Sequence, residues 1–136
     1  MYKLFNDDCF KVMAQLIDED VKVDAIIVDP PYNIGYADWD SGFNISHAID
    51  LCFDLLKDNG NLIIFQGWSN VCKTKMILDT KFNLQNWIVW DRIKGRGAKK
   101  NFVSTREDIL WYYKGDNPTY YKIYSNILKK KGGLGK

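Results

Sequence analysis

An α/β fold, with a mostly parallel sheet that ends in an antiparallel hairpin, is what this amino-acid sequence predicts. Three observations carry that reading. Short apolar runs rich in β-branched residues alternate with segments whose apolar residues recur at helical spacing. One run, Val23-Asp24-Ala25-Ile26-Ile27-Val28, is nearly continuous, as strands buried on both faces of a parallel sheet are. The last two runs, residues 87–90 and 108–113, have no helical segment between them, which calls for an antiparallel pair.

Taken in order, residues 2–5 read as a short strand. Asn6 or Asp7 then caps a helix with Phe10, Met13, Leu16 and Ile17 on one face. Residues 23–28 form the buried strand, which stops at Asp29-Pro30-Pro31. Residues 33–43 are rich in turn formers and aromatics without a sustained period, and predict a loop. Asn44 or Ser46 starts a second helix with Ile45, Ile49, Cys52, Phe53 and Leu56 inward, and Asp58-Asn59-Gly60 is a left-handed stop for it. Residues 61–65 are a buried strand. Ser69 caps a third helix with Val71, Met76 and Ile77 as core contacts, and the two hairpin strands follow.

The chain has 136 residues, 46% of them hydrophobic and 15% aromatic, enough for the core of one domain. No apolar run approaches the ~20 residues of a membrane-spanning helix, and the first residues lack a signal-peptide core. A soluble, cytoplasmic protein with no membrane partner is expected. Cys9, Cys52 and Cys72 are far apart, with no CxxC pair and only one histidine, His47, in the chain. This argues against a zinc site or disulfide framework and predicts reduced thiols in apolar positions. Net charge is only +2, yet Arg92, Lys94, Arg96, Lys99, Lys100 and Arg106 fall in a span free of Asp and Glu. Such asymmetry suits a polyanion, a solvated basic loop being the plainer alternative.

Ligands of open parallel α/β sheets bind beyond the carboxyl ends of the strands, where Asp29-Pro30-Pro31-Tyr32 lies. A proline-stiffened turn with Asp29 as a cap accounts for Asp-Pro-Pro alone. With Tyr32, the four residues combine a carboxylate acceptor, a turn with fixed carbonyls and an aromatic face. That set suits methylation of the exocyclic amine of a base, whose lone pair is delocalised into its ring. If Asp29 and the Pro30 carbonyl each accept one N–H, the nitrogen is drawn toward tetrahedral geometry and its lone pair is freed. Tyr32 would stack on the base, worth ~1–3 kcal/mol. Alignment and fixed electrostatics do the remaining work.

Residues 23–33, ending Asp29-Pro30-Pro31-Tyr32-Asn33, resemble the catalytic motif of the S-adenosylmethionine-dependent DNA amino-methyltransferases of the N6-adenine type. Asn6-Asp7-Asp8-Cys9 is similar to the acidic turn ahead of the tetrad in the family's circularly permuted β group. Residues 55–62 resemble its next helix and strand, and residues 87–91 and 107–112 its late hairpin. The resemblance covers nearly all of residues 3–114 and implies a partial Rossmann-like methyltransferase fold. Residues 1–114 would be the catalytic part, and residues 115–136 a linker or the start of a target-recognition region. It implies catalytic roles for Asp29, Pro30 and Tyr32. Asp8, Cys9, Asp29 and Pro31 would line the cofactor, with a helix cap as the competing reading of Asp8. Phe102 would pack on the base opposite Tyr32, and Arg92, Lys94, Arg96, Lys99 and Lys100 would contact DNA. Trp39, Phe43 and Trp68 read equally well as core or loop aromatics, and His47 as a surface residue.

The implied reaction is base flipping in double-stranded DNA followed by methyl transfer to adenine N6, as in restriction-modification systems. The family's glycine-rich Asp-Pro-Phe-x-Gly-x-Gly turn has no counterpart here. An incomplete enzyme, or an inactive nucleic-acid-binding remnant, is therefore an alternative, as are N4-cytosine and RNA adenine methylation. The strand at 2–5 and one edge of the strand at 23–28 would lack partners. A longer chain, a complementing chain or a second copy is expected to supply them.

Overall fold

The structure, a computed structural model, describes residues 2–96 and 102–122. Asp8 starts the first helix, α1 (Cys9–Asp18): its Oδ1 accepts the amides of Phe10 at 2.9 Å and Lys11 at 3.2 Å. The capping residue is thus Asp8 and not Asn6 or Asp7. Residues 2–5 form no strand, and Tyr2 and Leu4 are exposed. Their alternating pattern needs a neighbouring strand to pair with, and among the described residues none lies beside them.

β1 (Val23–Val28) is followed by the loop with its short 3₁₀ turn at Asp38–Asp40, then by α2 (Ile45–Leu55), capped by the Asn44 side chain on the His47 amide. β2 (Leu56–Gln66) follows with no intervening stop. Asn59 does take a left-handed conformation, φ 66°, but inside a bulge of β2. There Leu56 and Asn61 pair with Val23 and Ala25, five residues against two. α3 (Val71–Leu78) has Asn70 and not Ser69 at its cap, and Met76 is exposed on its outer face while Val71, Thr74 and Leu78 point inward. β3 (Asn83–Arg96) and β4 (Ser104–Tyr113) form the antiparallel hairpin, with β3 much longer than residues 87–90.

The sheet order is β1-β2-β4-β3, with β1 and β2 parallel and β4 antiparallel to both its neighbours. The α/β fold and its closing hairpin are as the sequence predicts. Side chains alternate along the middle strands: Leu62 and Ile64 of β2, with Leu110 and Tyr112 of β4, turn to one face. That face is packed against Ile49 and Cys52 of α2 and Val71 and Leu78 of α3. Leu62→Ala in this core should cost about 2–5 kcal/mol. Cys52 is buried, its thiol pushed up to about 11 chiefly by burial; Cys9 and Cys72 are exposed, Cys9 bordering an apolar cavity and Cys72 departing from the apolar setting expected for it. β1 is an edge strand, and Ile27 on it is 70% exposed.

Candidate active site

Asp29 follows β1 directly, so the tetrad leaves the sheet at the carboxyl end of an edge strand, beside the end of β2. Asp29 is exposed, Pro30 is buried, and Pro31 and Tyr32 are half-buried. Among the described residues Asp29 caps no helix. Its Oδ1 accepts the Tyr32 hydroxyl at 2.8 Å. Burial of the ring, then the bond to Asp29 and the charges of Asp29 and Glu107, push the Tyr32 phenol well above its usual range. The hydroxyl therefore remains a donor at neutral pH.

The loop after the tetrad is shaped by two side chains that pattern reading missed. Asp40 is 2% exposed, and its carboxylate accepts the amides of Asn33 at 3.0 Å, Ile34 at 2.9 Å and Tyr36 at 3.1 Å. These bonds, that of Tyr36 foremost, hold its carboxyl below the ordinary aspartate range against the opposing effect of burial. Asn33, at φ 54°, donates from Nδ2 to the Phe43 carbonyl and accepts the Phe43 amide at Oδ1. The pair closes the base of the loop like one rung of a ladder. The only hint in the sequence is that Asn and Asp favour such local turns.

Two clefts meet at Tyr32. One, of about 470 Å³, is lined by the whole tetrad with Tyr36, Trp39, Phe65, Trp90, Arg92 and Glu107 among others. The second, of about 740 Å³, runs from Tyr32 and Gly67 past Trp68 to Phe102 and residues 103–107. Phe102 is fully exposed and shares this second cleft with Tyr32. Arg92 lies in the common wall: Nη1 donates to Glu107 Oε1 at 2.6 Å and Nη2 to the Ser104 carbonyl at 3.2 Å. It is held inside the clefts and is not part of an open basic face. Lys94 is exposed on β3, Arg96 ends that strand opposite Ser104, and Lys99 and Lys100 lie outside the described residues.

On the other side of β1, Cys9 shares an apolar cavity of about 170 Å³ with Met13, Ile26, Val28 and Pro30. Burial first, then the adjacent Asp8 charge, raises the Cys9 thiol above its ordinary range. Of the loop aromatics, Trp39 and Trp68 are exposed beside the clefts, while Phe43 and His47 stack on Phe10, each at 5.2 Å. Among the described residues no group of His, Cys, Asp and Glu could hold a metal, and no helix is long and apolar enough to cross a membrane.

A parallel strand thus ends in a carboxylate, a proline-held carbonyl and an aromatic ring set above a cleft. Residues 23–133 match the DNA methylase family of N6 and N4 methyltransferases, and the chain belongs to that family. Type II methyltransferase M1.MboII of Moraxella bovis is 35% identical over 127 residues, which take in 87% of this chain and 48% of that protein. Type II methyltransferase M.BamHI of Bacillus amyloliquefaciens is 30% identical over 138 residues, covering 89% and 30%. The crystal structure of the M1.HpyAVI–SAM complex shares the fold, with a TM-score of 0.67 at 23% identity over 90% of this chain and 62% of that one. The chain spans about half or less of the length of these two named relatives.

Proposed function

We propose that this chain forms the catalytic part of a site-specific DNA methyltransferase that methylates adenine N6 from S-adenosylmethionine after flipping the base out of the duplex. One observation carries the reading: a single corner presents the Asp29 carboxylate, the Pro30 backbone and the Tyr32 ring around a cleft of about 470 Å³. In the mechanism that follows, Asp29 and the Pro30 carbonyl each accept an N–H of the target amine, and Tyr32 stacks on the base. The amine nitrogen then carries its lone pair out of the ring plane. The proton it loses after transfer is taken up at Asp29 or by water.

The residues fit the cofactor. Cys9 and Pro30 line a common apolar slot suited to a flat ring, Asp8 directly precedes Cys9, and Pro31 lines the neighbouring cleft. Bound there, S-adenosylmethionine supplies an electrophilic methyl group. Asp8 would serve while its Oδ1 remains engaged as the α1 cap. Phe102 would close on the base from the hairpin, with Arg92 in the wall beside it. Lys94, Arg96, Lys99 and Lys100 would meet phosphates.

The test is incubation of the protein with labelled S-adenosylmethionine and duplex DNA, followed by nucleoside analysis. N6-methyldeoxyadenosine is the expected product. N4-methyldeoxycytidine would move the reading to the other amine of the family, and label in RNA alone would move it to another substrate. DNA binding without any transfer would identify an inactive remnant.

A further inference from the structure

The turn between β2 and α3, Gln66-Gly67-Trp68-Ser69-Asn70, starts its helix in an unusual way. Asn70 stands at the N-cap, where an asparagine ordinarily turns its side chain onto the first amides of the helix. Here it makes no such bond. Its Nδ2 donates instead to the backbone carbonyl of Tyr32, 38 residues away in sequence. The helix is opened by the backbone alone, the Gly67 carbonyl accepting the amides of Asn70 at 3.0 Å and Val71 at 3.1 Å. Gly67 shows a second departure. A Cβ there would lie 3.1 Å from Cδ2 and 3.4 Å from Cε2 of Tyr32, so the ring rests against a turn that a side chain would fill.

We propose that Asn70 and Gly67 are positioning residues for the catalytic tetrad. Together with the hydroxyl bond to Asp29, they hold Tyr32 at its carbonyl, its ring and its tip. The carboxylate and the stacking face are then set relative to each other before a base arrives, which is where fixed geometry gains most in rate. A cap diverted from its own helix to a distant active-site carbonyl is the kind of local rule-breaking that functional sites show. The inference rests on the methyltransferase reading for its purpose, but the anchoring itself is measurable without it.

The experiment is Asn70→Asp, which keeps the shape, removes the N–H donor and supplies a side chain well able to cap α3. Thermal midpoint, hydrogen exchange over residues 29–34 and steady-state methyl transfer are measured together. The expected result is an unchanged or raised midpoint with amide exchange at Tyr32 and Asn33 faster by about 5- to 10-fold. Methyl transfer should fall roughly 10- to 100-fold in kcat, with KM for DNA little changed. Unchanged exchange at the tetrad overturns the proposal. So does a lowered midpoint with faster exchange throughout α3, which would make Asn70 a helix residue only. Gly67→Ala tests the packing half: it should impair transfer as Tyr32→Ala does, and full activity would remove Gly67 from the assignment. A wild-type protein without methyl transfer would sink the proposed function, while the exchange result would still decide the anchoring.

Discussion

The corner after β1 and the open end of the β3–β4 hairpin border the same two clefts, yet they are built differently. At the corner, Asp40 gathers three amides, Asn33 ties down Phe43, and Tyr32 is held at three points. At the hairpin end, Ile93 is 86% and Phe102 100% exposed, and Lys94 projects into solvent. There the Arg92–Glu107 pair ties the two strands together. The difference teaches which contacts need direction. On the proposed function, a target amine would be met within a few tenths of an ångström by partners fixed through hydrogen bonds. Phosphates would be gripped by charge, which acts over about 8–10 Å in physiological salt.

The largest expected effect breaks the ordered side of the comparison. Asp29→Ala should lower methyl transfer by about 10³-fold with the circular dichroism spectrum unchanged, since Asp29 is exposed and its one side-chain bond among the described residues is to the Tyr32 hydroxyl. Undiminished transfer of labelled methyl by this variant would take the tetrad out of the mechanism.

Tyr32→Ala should cost roughly 10- to 100-fold through lost stacking. Tyr32→Phe, which keeps the ring and forfeits one bond to an exposed carboxylate, should stay within several-fold of wild type. Equal losses in the two variants would transfer the importance from the ring to the hydroxyl.

Asp40→Asn should open the loop without unfolding the sheet, seen as faster amide exchange at Asn33, Ile34 and Tyr36. A pH series sharpens the same point. The Asp40 carboxyl lies below its unfolded value of about 3.9. Its contribution is therefore complete above that pH and is lost as pH falls through the lower, folded value. Loop protection that decays above pH 5 would contradict this origin.

The smallest effect per residue belongs to the hairpin. Removing the charges of Lys94, Arg96, Lys99 and Lys100 should weaken binding to all DNA sequences alike, flattening the salt dependence by about one unit of slope per lost phosphate contact. An unchanged slope in the quadruple variant would make the span a solvated surface.

How much of this could be read beforehand follows from the kind of signal each residue leaves. The place of the tetrad at a strand end was legible because a continuous apolar run stops at Asp29-Pro30-Pro31, and the helices because their apolar spacing repeats. Asp40, Asn33 and Asn70 were not, because a side chain that bonds a backbone group several or many residues away leaves no period. Asp58-Asn59-Gly60 shows a partial success: the left-handed turn is there, at Asn59, but the strand had already begun at Leu56. For residues 2–5 local pattern suggested a strand, while strand formation depends on a neighbour that no local pattern can reveal.

The place of β4 bears on how the molecule comes into being. Although it comes after the other three described strands, it fills the gap between β2 and β3, and its Trp111 indole donates to Asn61 at 2.8 Å across a separation of 50 residues. During synthesis β2 and β3 have no antiparallel partner until Tyr113 has been added and has cleared the ribosome. Loop closure over such distances precedes any gain from pairing, so assembly of this sheet belongs among the slower, millisecond-to-second events. Until then β2 can pair only with β1 and keeps one edge open, and β3 has no partner among the described strands, the period in which a chaperone would have most to do.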